Sequence, residues 1–285
     1  MLKKFAANGL VLLGGLSLCL LAGCSLFGGR SSPGAAAPDG TSCPAAEQMV
    51  QARDSDYGRS FLGRFSQRVS YPDEALNAGQ TGVVQLCAKL DRNGVVRDGR
   101  IAAGSGFPLL DGAALVALGV LQSEKEKAAL PQDLAPGQKY VWISFPVNFS
   151  PKVRSDVVYL QAPEDRPCKE TGTKEGDLAA KDITTEEWNG FPAQFSDAVR
   201  RELSYPPQAF EAKESGSTLL CVALDQDSHL IGVSISRSSG SPLLDGASLA
   251  ALGMAQIKAE FPILPNRVRQ AHDTILFTQE IDWKP

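Results

Sequence analysis

The chain has 285 residues, of which 43% are hydrophobic and 21% are charged, and its formal net charge is −4. These fractions are ordinary for globular proteins and exclude a disordered or fibrous chain. The acidic balance, together with the absence of Lys- or Arg-rich blocks beyond the first residues, argues against a nucleic-acid partner.

The first segment of the chain has the pattern of a secretory leader. Basic residues precede an apolar stretch over residues 9–21, which is shorter than the roughly 20 residues that a membrane-spanning helix needs. The segment Leu21-Ala22-Gly23-Cys24 resembles the bacterial lipobox, which implies cleavage before Cys24 and acylation of that cysteine. We expect residues 1–23 to be a signal peptide, and Ser25 favours sorting to the outer membrane. The alternative is an ordinary secretory leader that contains a cysteine.

An internal repeat determines the organisation of the chain after the leader. Residues 24–42 are rich in Gly, Ser, Ala and Pro, which predicts a flexible tether. Beyond it, Tyr71–Gly119 aligns without a gap onto Tyr205–Gly253, 134 positions later, and 22 of the 49 aligned positions are identical. Similarity at this level indicates a duplicated unit.

The duplication predicts two small domains of the same fold. A polar stretch with several prolines, residues 151–182, separates the copies and is interpreted as a linker. We expect the first domain over residues 43–150 and the second over residues 183–285. Cys168, inside the linker, is assigned to the second unit.

Both copies show the same order of predicted elements. Apolar residues at helical spacing predict the helices, and alternation of apolar and polar residues, with Val84, Leu86, Ala88 and Leu90 facing inward, predicts the strands. In chain order, the two copies are predicted to contain a helix (61–69; 195–203), a short segment ending at Gly82 or Gly216, a strand around 84–90 or 220–224, a second strand after a turn (91–94 in the first copy), a helix (110–121; 244–257) and a last strand (140–149; 274–281).

An ordered set of motifs runs through both copies: Tyr-Pro, Gly-x-Val-x-Leu in the first copy, Leu-Asp-x-x-Gly, Ser-Gly, Leu-Asp-x-Ala-x-Leu and an aromatic-rich last strand. In this order the motifs resemble the TonB C-terminal domain over residues 60–149 and 192–283. The second copy departs from the pattern at Ser228-His229 and lacks a counterpart of Gly79. The resemblance implies an α+β fold, with helices packed on one face of a three-stranded antiparallel sheet in each copy.

The resemblance also implies a binding function. In the family an edge strand pairs with an extended peptide of a partner, so that main-chain bonds give affinity and alternate side chains give selectivity. The edge-strand residues expected here are Tyr140, Trp142, Phe145, Thr274, Leu276 and Phe277. The expected partners are envelope proteins, including outer-membrane transporters or transport components. Because the sequence shows neither the spanning anchor nor the long Pro-rich spacer of the family, we expect binding without energy transduction. The alternative is a structural or self-associating component of a cell-envelope assembly.

Four cysteines follow the predicted anchor, at positions 43, 87, 168 and 221, in a compartment where disulfides persist. Four cysteines allow three pairings. Each copy has one cysteine in its first long strand and one before its first helix, so the duplication favours Cys43 with Cys87 and Cys168 with Cys221. A redox or metal site is the weaker interpretation, because the chain has no Cys-x-x-Cys motif and no nearby pair of histidines.

The sequence shows no set of residues that points to catalysis. His229 and His272 fall outside the repeated pattern. The carboxylates that repeat are those of Asp91, Asp225, Asp111 and Asp245. Turn and helix-start positions explain carboxylates at these places without chemistry. We therefore expect a lipid-anchored, non-enzymatic protein of the outer membrane with its domains in the periplasm, and no metal, cofactor or small-molecule substrate.

Overall fold

A computed structural model describes residues 42–124, 127–150, 177–179 and 184–285. The predicted signal peptide, the lipidation site Cys24, the tether before residue 42, Cys168 and most of the predicted linker lie outside these residues. The described elements form two sets, and the second set repeats the order of the first.

The first set begins with two short 3-10 helices, Ala46–Gln48 and Ala52–Asp54, on either side of β1 (Met49–Gln51), and continues with α1 (Asp56–Ser66), α2 (Asp73–Asn77), β2 (Gly82–Asp91), β3 (Val96–Ala103), α3 (Pro108–Gln122) and β4 (Tyr140–Phe149). The second set consists of β5 (Asp177–Ala179), α4 (Thr185–Trp188), α5 (Phe191–Glu202), α6 (Pro207–Glu211), β6 (Gly216–Asp225), β7 (Leu230–Arg237), α7 (Pro242–Ile257), α8 (Asn266–Ala271) and β8 (Thr274–Trp283).

Each set contains a sheet with three long antiparallel strands. β2 pairs with β3 on one side and with the whole of β4 on the other, and β6 pairs in the same way with β7 and β8. A three-residue strand adds in parallel to the outer side of each last strand, β1 on β4 and β5 on β8. The predicted α+β fold is confirmed. Residues 177–179, which the sequence assigned to the linker, instead form a strand of the second sheet.

The predicted alternation along the central strands places the core. Val84, Leu86, Ala88 and Leu90 are fully buried on one face of the first sheet, as are Leu220, Val222 and Leu224 of the second. Full burial of a Val or Leu side chain stabilises the fold by about 1.5–3 kcal/mol. In the first set, the rings of Phe61 and Phe65 on α1 meet Phe145 on β4 edge-on, with centroids 5.4 and 5.0 Å apart.

The repeated Tyr-Pro motif ties a loop to the last strand of each sheet. The hydroxyl groups of Tyr71 and Tyr205 donate hydrogen bonds to the carbonyl oxygens of Gln80 and Glu214, nine residues on in both copies. Each tyrosine ring also packs edge-on against an aromatic residue at the end of the last strand: Tyr71 against Phe149 at 5.5 Å and Tyr205 against Trp283 at 5.3 Å.

The departures of the second copy from the motif pattern fall at left-handed backbone positions. Gly79 and Gly94 have φ of 62° and 78°, and their counterparts Lys213 and Ser228 have φ of 52° and 66°. A residue with a Cβ atom pays about 1–2 kcal/mol in this conformation. Ser228 offsets part of that cost, because its Oγ accepts a hydrogen bond of 2.6 Å from the backbone N–H of Leu264.

The two sets are joined by a close pair of helices, α3 and α7. A Cβ atom added at Gly112 would lie 2.4 Å from the carbonyl oxygen of Gly246, and one at Gly119 would lie 2.8 Å from that of Gly253. Because the glycines meet in the same order along α3 and α7, the two helices run in the same direction. Their seven-residue spacing keeps both contacts on one face of each helix, and the missing side chains allow the two backbones to touch.

Polar contacts complete this helix pair at its C-terminal end. The Nε2 atom of Gln256 donates to Oε1 of Gln122 at 3.2 Å, and these residues are 134 positions apart, so they are counterparts in the repeat. The Oε1 atom of Gln256 accepts the backbone N–H of Leu230 at 2.8 Å in a buried position. All described residues belong to one compact unit, while the domain boundaries at 43–150 and 183–285 stay a prediction.

A disulfide fastens the start of the described chain to the first sheet. It joins Cys43 to Cys87, and Cys87 lies on the face of β2 opposite the core residues. The guanidinium of Arg100 holds the same segment by donating to the carbonyl oxygen of Ser42 at 2.6 Å. Cys221, the counterpart of Cys87, is also disulfide-bonded. Its predicted partner, Cys168, lies outside the described residues.

Candidate functional site

The outer edge of β4 is the first of the two edges that the sequence predicts to bind a partner. β1 covers part of this edge by pairing with Trp142, Ile143 and Ser144. The prediction that the whole strand is an open edge therefore needs correction. In the described residues, Tyr140, Val141 and the segment from Phe145 to Phe149 have no strand neighbour on the outer side.

The outer edge of β8 is the second. β5 pairs with Thr274, Ile275 and Leu276, so the first three residues of this edge are covered as well. From Phe277 to Trp283, no strand within the described part of the chain pairs on the outer side. The second copy thus leaves a longer uninterrupted open segment than the first.

Three of the predicted edge residues are buried. Phe145 and Phe277, which are 0% and 6% exposed, face the core, whereas Leu276, which is 8% exposed, lies opposite Ala223 on the other face of the second sheet. Phe277 packs edge-on against Phe195 of α5 at 4.8 Å. These residues can offer a partner only their backbone groups, and Thr274 is half-buried beside β5.

Tyr140 and Trp142 instead lie half-buried on the open face of the first sheet. The Nζ atom of Lys89 lies 4.6 Å from the centre of the Tyr140 ring, and the guanidinium carbon of Arg100 lies 4.8 Å from that of Trp142. Contacts of this kind contribute about 0.5–1 kcal/mol at exposed sites. The ladder places Thr274 and Leu276 at the corresponding positions of the second sheet, so this aromatic face belongs to the first copy alone.

Sequence reasoning missed the exposed residues of the second edge. Thr278, Glu280 and Asp282 alternate along β8 and are all exposed on the open face of the sheet. The Oε1 atom of Glu280 accepts hydrogen bonds from Arg237 at 2.6 Å and from Ser217 at 2.7 Å. The alternation of polar residues over 278–282 is a sequence signal for these exposed positions, whereas the family motif points to the aromatic positions of the last strand.

Two of the repeated aspartates hold turns. The Oδ1 atom of Asp91 accepts the backbone N–H groups of Asn93 and Val95 at 2.9 and 3.0 Å, and Asp225 repeats both bonds in the second copy. Partial burial opposes ionisation of Asp91, but hydrogen bonds from the Arg97 guanidinium and these N–H groups outweigh it, so the pKa of Asp91 is lowered.

The other two repeated aspartates fix the loop before the main helix. Asp111, in the first turn of α3, accepts the backbone N–H of Ser105 at 2.7 Å, and Asp245 accepts that of Ser239 at 2.8 Å. Burial raises the pKa of Asp111, although its hydrogen bonds with Ser105 act in the opposite direction. The structural interpretation of all four aspartates accounts for their contacts.

Among the residues that the structure describes, one group of side chains has the composition of a cation site. Atoms of Asp225, Asp227 and His229 lie within 4.8 Å of one another. All three belong to the β6–β7 turn, where Asp225 already accepts two backbone N–H groups. Exposed acidic turns are common without a metal ion, so the turn explains this cluster.

Comparison with known proteins places the chain in a family. Two segments, residues 67–151 and 201–284, match the family described as the Gram-negative bacterial TonB protein C-terminal, and together they span more than half of the chain. The chain belongs to the TonB C-terminal family. The match covers both copies of the repeat, as the motifs predicted.

Solved structures of the TonB C-terminal domain are similar to part of this chain. Two NMR solution structures of the Helicobacter pylori TonB C-terminal domain are 19% and 20% identical to it. The match to the first structure covers 36% of this chain and 94% of the Helicobacter pylori chain, with a TM-score of 0.29. The match to the second structure covers 33% of this chain and 92% of the other chain, with a TM-score of 0.28. No curated protein matches the chain.

TonB C-terminal domains are non-catalytic binding modules that act through protein interaction. This chain therefore carries two such modules in tandem. Across the described ranges, no helix has both the length and the apolar character needed to cross a membrane.

Proposed function

We propose that the chain is a lipid-anchored, periplasm-facing binding module that recognises an extended segment of an envelope or transport protein by strand pairing. The observation that carries this proposal is the open outer edge of a last strand in a TonB C-terminal module, clearest from Phe277 to Trp283 of β8. An edge of this kind offers a row of backbone donors and acceptors to an added strand.

The packing between the copies supports binding over self-association. The apolar helices α3 and α7 are buried against each other within one chain, and their close approach is made by glycines. This arrangement buries the apolar surfaces of both helices inside the molecule, while the later part of each last strand has no strand on its outer side in the described residues. A purely structural component would instead be expected to bury those strands.

A binding titration tests the proposal. The full-length chain, purified in detergent, is titrated with ten-residue peptides taken from the periplasmic segments of outer-membrane transporters. A matched control peptide carries proline at alternate positions, which removes the N–H groups that strand pairing needs. Saturable binding of the parent peptides, and none of the proline peptides, is the expected result. Equal binding of both peptide sets would contradict strand pairing.

The lipid anchor is tested separately. Cys24, the predicted lipidation site, lies outside the described residues, and its assignment depends on the leader pattern alone. Cells expressing the wild-type chain or a Cys24→Ala variant are labelled with a radioactive fatty acid. Labelling of the wild type and its loss in the variant, with the variant protein released from the outer-membrane fraction, is expected. An unlabelled wild-type chain would overturn the anchor.

A further inference from the structure

The last strand of the first sheet has a proline at a position where the last strand of the second sheet has a residue with a backbone N–H. Pro146 of β4 lies opposite Gln85, and Glu280 of β8 lies opposite Leu219, so Pro146 and Glu280 are counterparts. Successive residues of an antiparallel strand direct their N–H and C=O groups alternately toward and away from the neighbouring strand. The β2–β4 ladder continues through Pro146 without a register shift. Because proline has no N–H, its nitrogen must face the outer side.

This alternation determines how many donors each outer edge offers. On β4, the outward positions are 140, 142, 144, 146 and 148; β1 pairs along 142 and 144, and Pro146 lacks a donor, which leaves Tyr140 and Asn148 at opposite ends of the strand. On β8, β5 pairs along the first positions, and Thr278, Glu280 and Asp282 keep their outward N–H groups. Within the described residues, the first edge therefore offers two donors that are separated by β1 and Pro146, and the second offers three consecutive outward donors.

The side chains along β8 determine which strand would fit beside it. Glu280 and Asp282 are exposed on the open face, and the side chain of Glu280 is 51% exposed although its carboxylate pairs with Arg237. On the opposite face, Phe277, Ile281 and Trp283 are buried with the helices. Opposite charges on directly facing strand positions are favourable and like charges are not. An added strand would thus place cationic side chains on the open face and apolar side chains on the helix face.

We propose that the outer edge of β8, from Phe277 to Trp283, takes the partner strand, and that it selects an extended segment in which Lys or Arg alternates with apolar residues. On the outer edge of β4, β1 and Pro146 interrupt the row of outward donors that an added strand would need. This inference rests on the proposed strand-pairing function and adds to it the choice of copy and the charge pattern of the partner.

Peptide titrations with matched variants test the inference. The probes are three peptides of nine residues: Lys alternating with Val, Glu alternating with Val, and the first composition with its lysines and valines in blocks. The proteins are the full-length wild type, Glu280→Pro, Asn148→Pro and the double variant Glu280→Gln with Asp282→Asn. Each proline replaces one outward N–H, and Pro146 shows that the ladder accommodates proline at the position of Glu280.

The wild type should bind the alternating Lys peptide at least tenfold more tightly than the other two. Glu280→Pro should weaken that binding by about tenfold or more, which corresponds to about 1.4 kcal/mol, and Asn148→Pro should leave it unchanged. The Gln–Asn double variant keeps every N–H and should lose the preference for Lys over Glu. Melting temperatures of all variants establish that they are folded, and the double variant decides the charge preference if Glu280→Pro does not fold.

Two results would overturn the inference in different ways. Loss of binding in Asn148→Pro with full binding in Glu280→Pro would place the site on β4, and strand pairing itself would stand. Equal affinity of the wild type for the Lys and Glu peptides would contradict the proposed selection of a cationic partner strand. If none of the peptides binds the wild type and transporter peptides also fail, the proposed function falls as well.

Discussion

Replacing Gly253 by alanine tests whether close helix contact holds the two copies together. The added Cβ atom would lie 2.6 Å from the carbonyl oxygen of Leu115 and 2.7 Å from the backbone nitrogen of Val116. Ordinary contact begins at 3.4 Å, so α3 and α7 would have to separate by roughly 0.8 Å at this point. Overpacking of this kind costs about 1–3 kcal/mol, against about 1 kcal/mol gained from the better helix propensity of alanine.

Gly63 provides the matched control. It lies on the exposed side of α1 with no atom within 4 Å of its added Cβ, so Gly63→Ala should stabilise the fold by about 0.5–1 kcal/mol. Urea denaturation followed by circular dichroism should place the free energies of unfolding of the two variants about 1–3 kcal/mol apart, with Gly253→Ala the less stable. Combining Gly119→Ala with Gly253→Ala should cost less than the sum of the single changes, because one displacement relieves both clashes. Equal stability of the Gly63 and Gly253 variants would refute the close helix contact.

Three other predictions follow from the fold. Replacing both Cys43 and Cys87 by serine opens a disulfide with a sequence separation of 44 and should lower the free energy of unfolding by about 4 kcal/mol; a melting temperature that matches the oxidised wild type would contradict this. Lys213 and Gly79 both have left-handed backbone, so Lys213→Gly should stabilise the fold by up to about 1 kcal/mol and Gly79→Ala should destabilise it by a similar amount. Urea denaturation should show midpoint shifts of similar size and opposite sign for the two variants. Burial raises the pKa of Asp111, so the protonated form is favoured in the folded state, and its stabilising contribution is present at low pH and lost as pH rises through the folded pKa. The stability of the wild type relative to Asp111→Asn should therefore rise on acidification, and denaturation midpoints that fall in parallel would contradict the assignment.

The regular elements were predictable because local pattern and tertiary burial agree in them. Alternation located the central strands, and β4 has the predicted bounds Tyr140–Phe149. Helix α1 begins at Asp56, five residues before the predicted start, because Ser55 caps it by accepting the N–H of Gly58 at 3.0 Å. That cap is a readable signal, and apolar spacing alone overlooks it.

The features that decide the site depend on contacts between distant segments. β1 and β5 are three residues long and have no periodicity of their own, so their pairing with the last strands is set by tertiary structure. The pairing of α3 with α7 left a clearer trace. α3 is apolar around nearly its whole circumference, as expected of a helix covered on both sides, and Gly112 and Gly119 recur as Gly246 and Gly253.

Hydrogen exchange of individual backbone amides tests the central claim most directly. The full-length chain is followed with and without a saturating extended peptide, chosen as the tightest binder in the titrations. We expect new protection at the amides of Thr278, Glu280 and Asp282, whose N–H groups face outward, and no change at Asn148. Protection elsewhere, with these three amides exchanging as fast as in the free chain, would contradict it.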